Sequence, residues 1–461
     1  MDKIKLLQVR REKILEAGSD IRKSIFQLVD ADSFVELSGY SFSKNDFYGE
    51  EAEGEGVVTG FATVEGYPVY IAAQNFKVLS GGVSKANCDK ILKCLNLAEK
   101  NSTPIIYILH SLGVQIGEGV TVLEGLASVL AKSARLHGVV PQFTIINGEV
   151  YGQSALFAAN ADFNFFMKEG VLAANSPLVI SAKSGKNLSK EDVGGASALN
   201  KTNLVSFIEN DIAAVREKIY KIIDILPDYN AVVVENGEDL NRACPALNGD
   251  YTAEQLIGAV FDKNSFVELG ADSSPEVKCL VGRIGGISVA AVVFDGENGA
   301  ELNQFNVAKI NRFVEFAAYF NLPFVNFVNT VAIAANTCVN NSLVLGQISQ
   351  YMEKFELLEN AKISVVYKKA IGIGYTLFAS KSMGFDYTIS FANAKIALFD
   401  SVAGAEIEFS ADSKDRDKLA EKYAEENSDP FNAAKGGYID DIIEPQFVKQ
   451  YLVASLQMLL K

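Results

Sequence analysis

At 461 residues the chain exceeds what one hydrophobic core usually organises, and two domains of roughly 200 residues each are expected. Its 57 acidic against 42 basic residues give a net charge of −15, which disfavours a phosphate backbone or an anionic membrane surface as partner unless a local basic patch intervenes. The five cysteines (Cys88, Cys94, Cys244, Cys279 and Cys338) are odd in number, scattered and without a C-x-x-C pair, which argues against a disulfide framework or a zinc ribbon and for reduced thiols.

The first predicted element is a helix. Basic residues from Lys3 to Lys13 are interleaved with Leu6, Leu7, Val9, Ile14 and Leu15 at helical spacing, the pattern of an amphipathic surface helix packed on its domain or on a partner subunit. This charged start lacks the apolar block and small-residue cleavage site of a signal peptide, and no apolar run approaches the ~18 residues of a membrane span, so a cytoplasmic protein is expected. After Ser33-Phe34-Val35-Glu36-Leu37 come two apolar strands, Val57 to Thr63 and Val69 to Ala73, with Gly66 in the turn. An amphipathic helix through Lys90-Ile91 leads to Pro104 and the apolar run PIIYILH, which reads as a strand buried on both faces. Another strand, Val139 to Asn147, enters a glycine turn and a small-residue helix in GEVYGQSALFAA. The Gly-, Ser- and Lys-rich stretch from Lys183 to Asn203 reads as a surface loop or lid, and the polar stretch from Glu235 to Tyr251 as a linker.

The same order then recurs. Ser265-Phe266-Val267-Glu268-Leu269 repeats the earlier five residues letter for letter, 232 positions later. Strands Cys279 to Ile284 and Ile287 to Phe294 flank Gly285 and Gly286, and a helix through Lys309-Ile310 follows 219 positions after Lys90-Ile91. Pro323 opens the apolar run PFVNFVN, and a strand from Ala361 to Tyr367 feeds KKAIGIGYTLFAS. Two landmarks at two offsets argue for an α/β chain of two domains with common descent, residues 1–240 and 241–461.

Longer strings carry a family resemblance. DSFVEL, GEGVVTGFATVEGYPV from Gly54 to Val69 and EDVGGA from Glu191 to Ala196 are similar to signatures of the carboxyltransferase subunits of biotin-dependent acyl-CoA carboxylases. So are DPFNAAKGGYIDDIIEP from Asp429 to Pro445 and the helix that follows it, Phe447 to Lys461. These subunits belong to the acetyl-CoA and propionyl-CoA carboxylases and to related acyl-CoA decarboxylases. The resemblance implies two tandem crotonase-type domains of stacked ββα units, the first on the acyl-CoA side and the second on the biotin side. It also implies a dimer or hexamer whose sites lie between the N-domain of one subunit and the C-domain of its neighbour. The activity implied is movement of a carboxyl group between carboxybiotin on a carrier protein and a short-chain acyl-CoA, without a metal. Neither a G-x-x-x-x-G-K-[ST] loop nor a Met-Lys-Met biotin-accepting motif occurs, so the biotin carboxylase and the biotin carrier are expected in trans.

Such chemistry must hold two developing negative charges, one on a thioester oxygen and one on the ureido oxygen of biotin. Fixed pairs of main-chain N–H groups suit both, and losing one such donor typically costs ~3–4 kcal/mol of transition-state stabilisation. By the resemblance the thioester pair matches Gly152-Gln153 and the biotin pair Ile373-Gly374, with Ser111, Leu112, Gly113, Val114, Ala332, Ile333 and Thr376 lining the substrates. The chain departs from the family pattern here: Ser-Gly-Gly-Ala-Arg reads Ser111-Leu112-Gly113-Val114-Gln115, and Val-Pro-Gly-Phe reads Thr330-Val331-Ala332-Ile333. An aspartate often found two residues after the biotin-side pair is replaced by Thr376. Either Gln153 and Ile373 still donate from negative φ, or their side chains fill the clefts and the chain is a non-catalytic assembly partner.

Other constellations carry less. His110 or His137 with Ser111 or Ser154 would suit a thioester hydrolase. Gly372-Ile373-Gly374 lacks the third glycine of a dinucleotide loop. Glu118, Glu149, Asp162 and Asp386 read as caps or surface charges before they read as general bases, and Lys183, Lys186, Lys368 and Lys369 are candidate contacts for CoA phosphates.

Overall fold

The computed structural model describes residues 2–41, 44–45, 50–51, 53–199, 202–227, 237–334, 343–409 and 415–460, and its contacts divide the chain into two compact units, Met1–Ile223 and Asp224–Lys461. Cys338 and the first two residues of the expected linker, Glu235 and Asn236, lie outside the described residues.

The first unit opens with α1 (Lys3–Ala17), capped at its start by Asp2. Its sheet is built from β1 (Val35–Leu37), β2 (Val57–Val64), β3 (Tyr67–Gln74), β4 (Ile105–Ser111), β5 (Gln142–Tyr151), β6 (Phe163–Met167), β7 (Val171–Ala173) and β8 (Phe207–Glu209). The order is β1-β2-β3-β4-β5-β6-β8, with β7 paired to the far end of β5. Pairings from β1 to β3 are antiparallel and the rest parallel. Helices α2 (Lys85–Asn101) and α3 (Val120–Arg135) make the crossovers flanking β4, so β4 reads as an unbroken apolar run and Ile105, Ile106 and Ile108 are fully buried.

The second unit repeats this plan. Strands β9 (Phe266–Leu269), β10 (Val277–Ile284), β11 (Ile287–Phe294), β12 (Ala300–Leu302), β13 (Phe324–Ile333), β14 (Lys362–Ile371), β15 (Tyr387–Phe391), β16 (Lys395–Ala397) and β17 (Asp441–Ile443) form its sheet. The order is β9-β10-β11-β13-β14-β15-β17, with β12 on β13 and β16 on β14. Helix α4 (Gln304–Tyr319) is the counterpart of α2.

Equivalent polar bonds in the two units accompany the letters that recur. Asp30 accepts the turn amides of Glu65 and Gly66, both at 2.9 Å, and Asp262, 232 positions later, accepts those of Gly285 and Gly286 at 2.9 and 2.7 Å. Each carboxylate also meets a cation, Arg216 in one unit and the fully buried Lys449 in the other, both at 2.7 Å. The serines that begin the repeated pentapeptide, Ser33 and Ser265, each donate to the carbonyl of that aspartate at 2.8 Å. On the helices, Lys90 Nζ donates to Gly54 O and Val57 O, and Lys309 Nζ to Gly270 O, Ser273 O and Val277 O, all within 2.8 Å. A buried ammonium without such acceptors would cost several kcal/mol, so each lysine depends on these carbonyls.

One expectation changes in detail, and the reading of the carboxylates as caps gains its partners. The stretch from Lys183 to Asn203 contains the short helices Lys190–Gly194 and Ala196–Leu199, the first capped by Ser189, whose Oγ accepts Asp192 N at 3.1 Å. Three of the four singled-out carboxylates are structural: Glu118 accepts Lys85 N, Asp162 accepts Gln142 N, and Asp386 accepts Lys362 N.

Candidate active-site turns

Each unit carries a sharp turn where a long central strand ends. In the first, β5 outruns β4 after a register shift between Leu109 and Ser111, then pairs with β7 through Glu149, Val150 and Tyr151. Gly152 follows with φ 65°, and Gly152–Ser154 form a tight turn leading into the helix Ala155–Ala159. A Cβ on Gly152 would meet open space, so it is the left-handed backbone rather than crowding that selects glycine. In the second, β14 pairs with β16 through Lys369, Ala370 and Ile371, and Gly372 follows with φ 54°. Its N–H is bound to Ala397 O at 2.9 Å, and α5 (Ile373–Phe378) begins next. The first intrahelical bond is Thr376 N to Gly372 O at 3.3 Å, so the N–H groups of Ile373 and Gly374 precede the helical ladder. The left-handed glycine is thus Gly152 in one turn and Gly372 in the other, and the two pairs named from the sequence sit one residue out of step.

Neither Gln153 nor Ile373 has positive φ, and both side chains are half-buried. The Oε1 of Gln153 is enclosed without a hydrogen-bond partner among the described residues. Gly374 has no room for a side chain, since a Cβ there would lie 2.4 Å from Thr330 Cγ2. Thr376 is exposed, with its Oγ1 3.4 Å from Gly372 O.

The neighbouring loops come close to these turns. Ser111, fully buried, accepts Gly113 N and is bonded by Ser154 Oγ, both at 3.2 Å, which ties the end of β4 to the first turn. Leu112 N donates to Ser80 O, Gly113 O accepts Val83 N, Val114 bridges Val83, and the Leu112 side chain is exposed. In the second unit Ala332 has φ 100°, a left-handed conformation at the position equivalent to Gly113 (φ 134°), and its methyl lies 3.8 Å from where a Cβ on Gly372 would be. Ile333 is half-buried beside it and pairs with Leu302.

Beside the first turn, Glu149 accepts Tyr151 Oη at 2.8 Å and lies 3.7 Å from Lys190 Nζ. Burial, followed by that bond to Glu149, pushes the Tyr151 hydroxyl far up. His110 stacks on Phe76 with ring centroids 3.9 Å apart, and burial holds it below the usual imidazole range. The serine hydroxyls bond to each other, and His137 faces Asp162 at 2.9 Å, so no serine–histidine pair assembles among the described residues. Tyr151, Lys190 and Lys395 border the turns without having been singled out from sequence, because strand pairing and tertiary contact bring them there.

The carboxyl transferase domain profile matches residues 16–461. The chain belongs to the carboxyl transferase family. It is 29% identical to the methylmalonyl-CoA decarboxylase subunit alpha of Veillonella parvula, over 99% of this chain and 96% of that one. It is 28% identical to the propionyl-CoA carboxylase beta chain of Cereibacter sphaeroides, over 93% and 88%. A crystal structure of transcarboxylase 12S with methylmalonyl-coenzyme A and methylmalonic acid bound superposes with a TM-score of 0.90 at 24% identity, covering 99% of this chain and 95% of that one. The duplicated architecture is the crotonase-like fold of this family. Among the described residues no helix is long and apolar enough to cross a membrane.

Proposed function

We propose that this member of the family is the carboxyltransferase component that moves a carboxyl group between carboxybiotin on a separate carrier protein and a short-chain acyl-CoA. The observation that carries the reading is the duplication of one device. Each unit ends a strand in a left-handed glycine at the head of a helical turn, Gly152 in the first and Gly372 in the second, and in the second the N–H groups of Ile373 and Gly374 precede the first intrahelical bond. Amide donors of this kind depend on φ and not on the side chain, so Gln153 and Ile373 retain the function with negative φ. Gly152 and Gln153 would hold the thioester oxygen as negative charge develops on it, and Ile373 and Gly374 the ureido oxygen, each donor contributing on the order of 3 kcal/mol in a water-poor site. The donor set of the second turn fits that group, because two consecutive N–H groups precede the helical ladder and no carboxylate stands among Gly372, Ile373 and Gly374. When bound, carboxybiotin supplies the carboxyl group, and the chain's part is to hold the oxygen and orient the acyl group. The biotin carrier, the biotin carboxylase and further copies of this chain are its proposed partners.

The test is incubation of the purified protein with biocytin and either malonyl-CoA or methylmalonyl-CoA, following the decarboxylated CoA product by chromatography. Biocytin-dependent product is expected. Its absence, with a stable complex formed with an active relative, would replace the reading with that of a non-catalytic assembly partner.

A further inference from the structure

Three residues before each left-handed glycine, the duplicated strands carry opposite charge. In the first unit that residue is Glu149, paired in the ladder with the buried Val171 and neutralised by Tyr151 Oη and Lys190 Nζ. In the second it is Lys369, paired in the ladder with Lys395. Residues in register on adjacent strands project from one face with Cβ atoms about 5 Å apart, where like charges destabilise the sheet. Lys369 Nζ rests on Asn298 O at 3.0 Å, a neutral acceptor. Asp400, the acid whose charge acts on Lys369, instead accepts Val402 N and Ala403 N at 3.0 and 3.1 Å. A third ammonium, Lys368 Nζ, lies over the rings of Tyr251 and Tyr367 at 5.5 and 5.8 Å. In a chain with net charge −15, three lysines gathered where β14 pairs with β16, without an ion-pair partner among the described residues, form a local positive field. Burial and then Lys395 hold the Lys369 ammonium below the usual lysine range, against the opposing charge of Asp400.

We infer that Lys369 and Lys395 form an oxyanion subsite of the second unit that takes a carboxylate or phosphate group of the substrate, upstream of Gly372 on the same strand. At a rise of about 3.3 Å per residue the pair stands roughly 10 Å from the turn, a separation that a flexible four-carbon lysine stem can partly close. The first unit is the internal control: its equivalent residue is an acid already satisfied by its neighbours, so the duplicated backbone does not itself demand a cation. Only the identity of the substrate rests on the carboxyltransferase reading.

The experiment labels lysines as 13C-dimethyl derivatives of the full chain, assigns Lys369 and Lys395 by their loss in Lys369→Arg and Lys395→Arg variants, and titrates malonate and inorganic phosphate against a chloride control. Both resonances are expected to shift together and to saturate. Calorimetry with malonyl-CoA and acetyl-CoA then compares the wild type with the Lys369→Gln/Lys395→Gln double variant. A roughly tenfold loss of affinity, the size of a charge-assisted hydrogen bond, is expected. Loss confined to malonyl-CoA assigns the carboxylate as the bound group, and equal loss for both assigns the CoA phosphates. Resonances that move no more than in chloride would overturn the subsite, as would unchanged affinity for both thioesters, which would mark an adventitious ion only. If the small anions bind the two lysines but neither thioester binds the wild type, the carboxyltransferase reading fails and the anion subsite stands.

Discussion

Replacing Ala332 by glycine should stabilise the second unit, which is the opposite of what glycine usually does in a strand. Ala332 lies at the end of β13 with φ 100°, where an L side chain crowds its own backbone, and a residue held in such a region costs about 1–3 kcal/mol. Glycine removes that strain but gives the unfolded chain more freedom, an opposing effect of about 0.5–1 kcal/mol. The difference leaves about 1 kcal/mol of net stabilisation, or ~2–4 °C in Tm for a unit of this size. The reciprocal change is built into the repeat. Gly113 holds the equivalent place with φ 134°, and a Cβ there would touch nothing within 4 Å, so Gly113→Ala should lose about 1–3 kcal/mol from backbone strain alone. Urea unfolding with an unchanged m-value, followed for both variants, reads the two signs directly. Destabilisation by Ala332→Gly similar to that of a glycine placed in mid-strand would refute the strain argument.

Three further outcomes follow from single contacts. Gly374→Ala should lower turnover at least tenfold, because the new methyl would lie 2.4 Å from Thr330 Cγ2, and adding Thr330→Ser, which keeps the bond to Ala300 O, should restore part of it in the biocytin assay. Asp262→Ala should cost about 3 kcal/mol or more by leaving the fully buried Lys449 with Glu238, at 3.2 Å, as its one counter-charge among the described residues, and a second change, Lys449→Met, should recover much of the loss in thermal unfolding. Burial alone would raise the Asp30 carboxyl, but the Thr63 hydroxyl, the Gly66 and Glu65 amides and Arg216 together hold it below its ordinary value. A carboxyl lowered in the folded state contributes stability that is complete above its unfolded value, near pH 4, and is lost as pH falls through its folded value. Asp30→Asn should therefore flatten the acid limb of a stability–pH profile below about pH 4 while leaving its slope at neutral pH unchanged.

Much of the fold was legible because the constraints are local. Gly66 and the Gly285-Gly286 pair mark hairpins, and PIIYILH and PFVNFVN become strands buried on both faces. The repeat offsets of 232 and 219 turn out to align Asp30 with Asp262 and Lys90 with Lys309, which make equivalent hydrogen bonds in the two units. What escaped reading is non-local. The helices Lys190–Gly194 and Ala196–Leu199 span only five and four residues, too short to show a period. The ladder that places Lys395 beside Lys369 joins residues on separate strands that no spacing rule connects.

The altered glycines bear on chemistry less than their number implies. Family letters at the two turns mix two requirements, a left-handed backbone and a pair of donors. The left-handed positions, Gly152 and Gly372, are glycine, while Gln153 and Ile373 stand where the backbone runs at negative φ, which any L-amino acid adopts. Ala332 is the departure that conflicts with its own backbone, and its ladder pairing with Glu301 of β12 holds it there regardless. A strained residue that persists when glycine would relax it requires a structure that over-determines its position, and the methyl it presents stands beside Gly372, in the turn proposed to hold the ureido oxygen. Selectivity at the second turn should therefore respond to the size of residue 332 more than to residue 373, and the ratio of rates with free biotin and biocytin in Ala332→Gly against Ile373→Gly would reveal which of the two side chains borders the ligand.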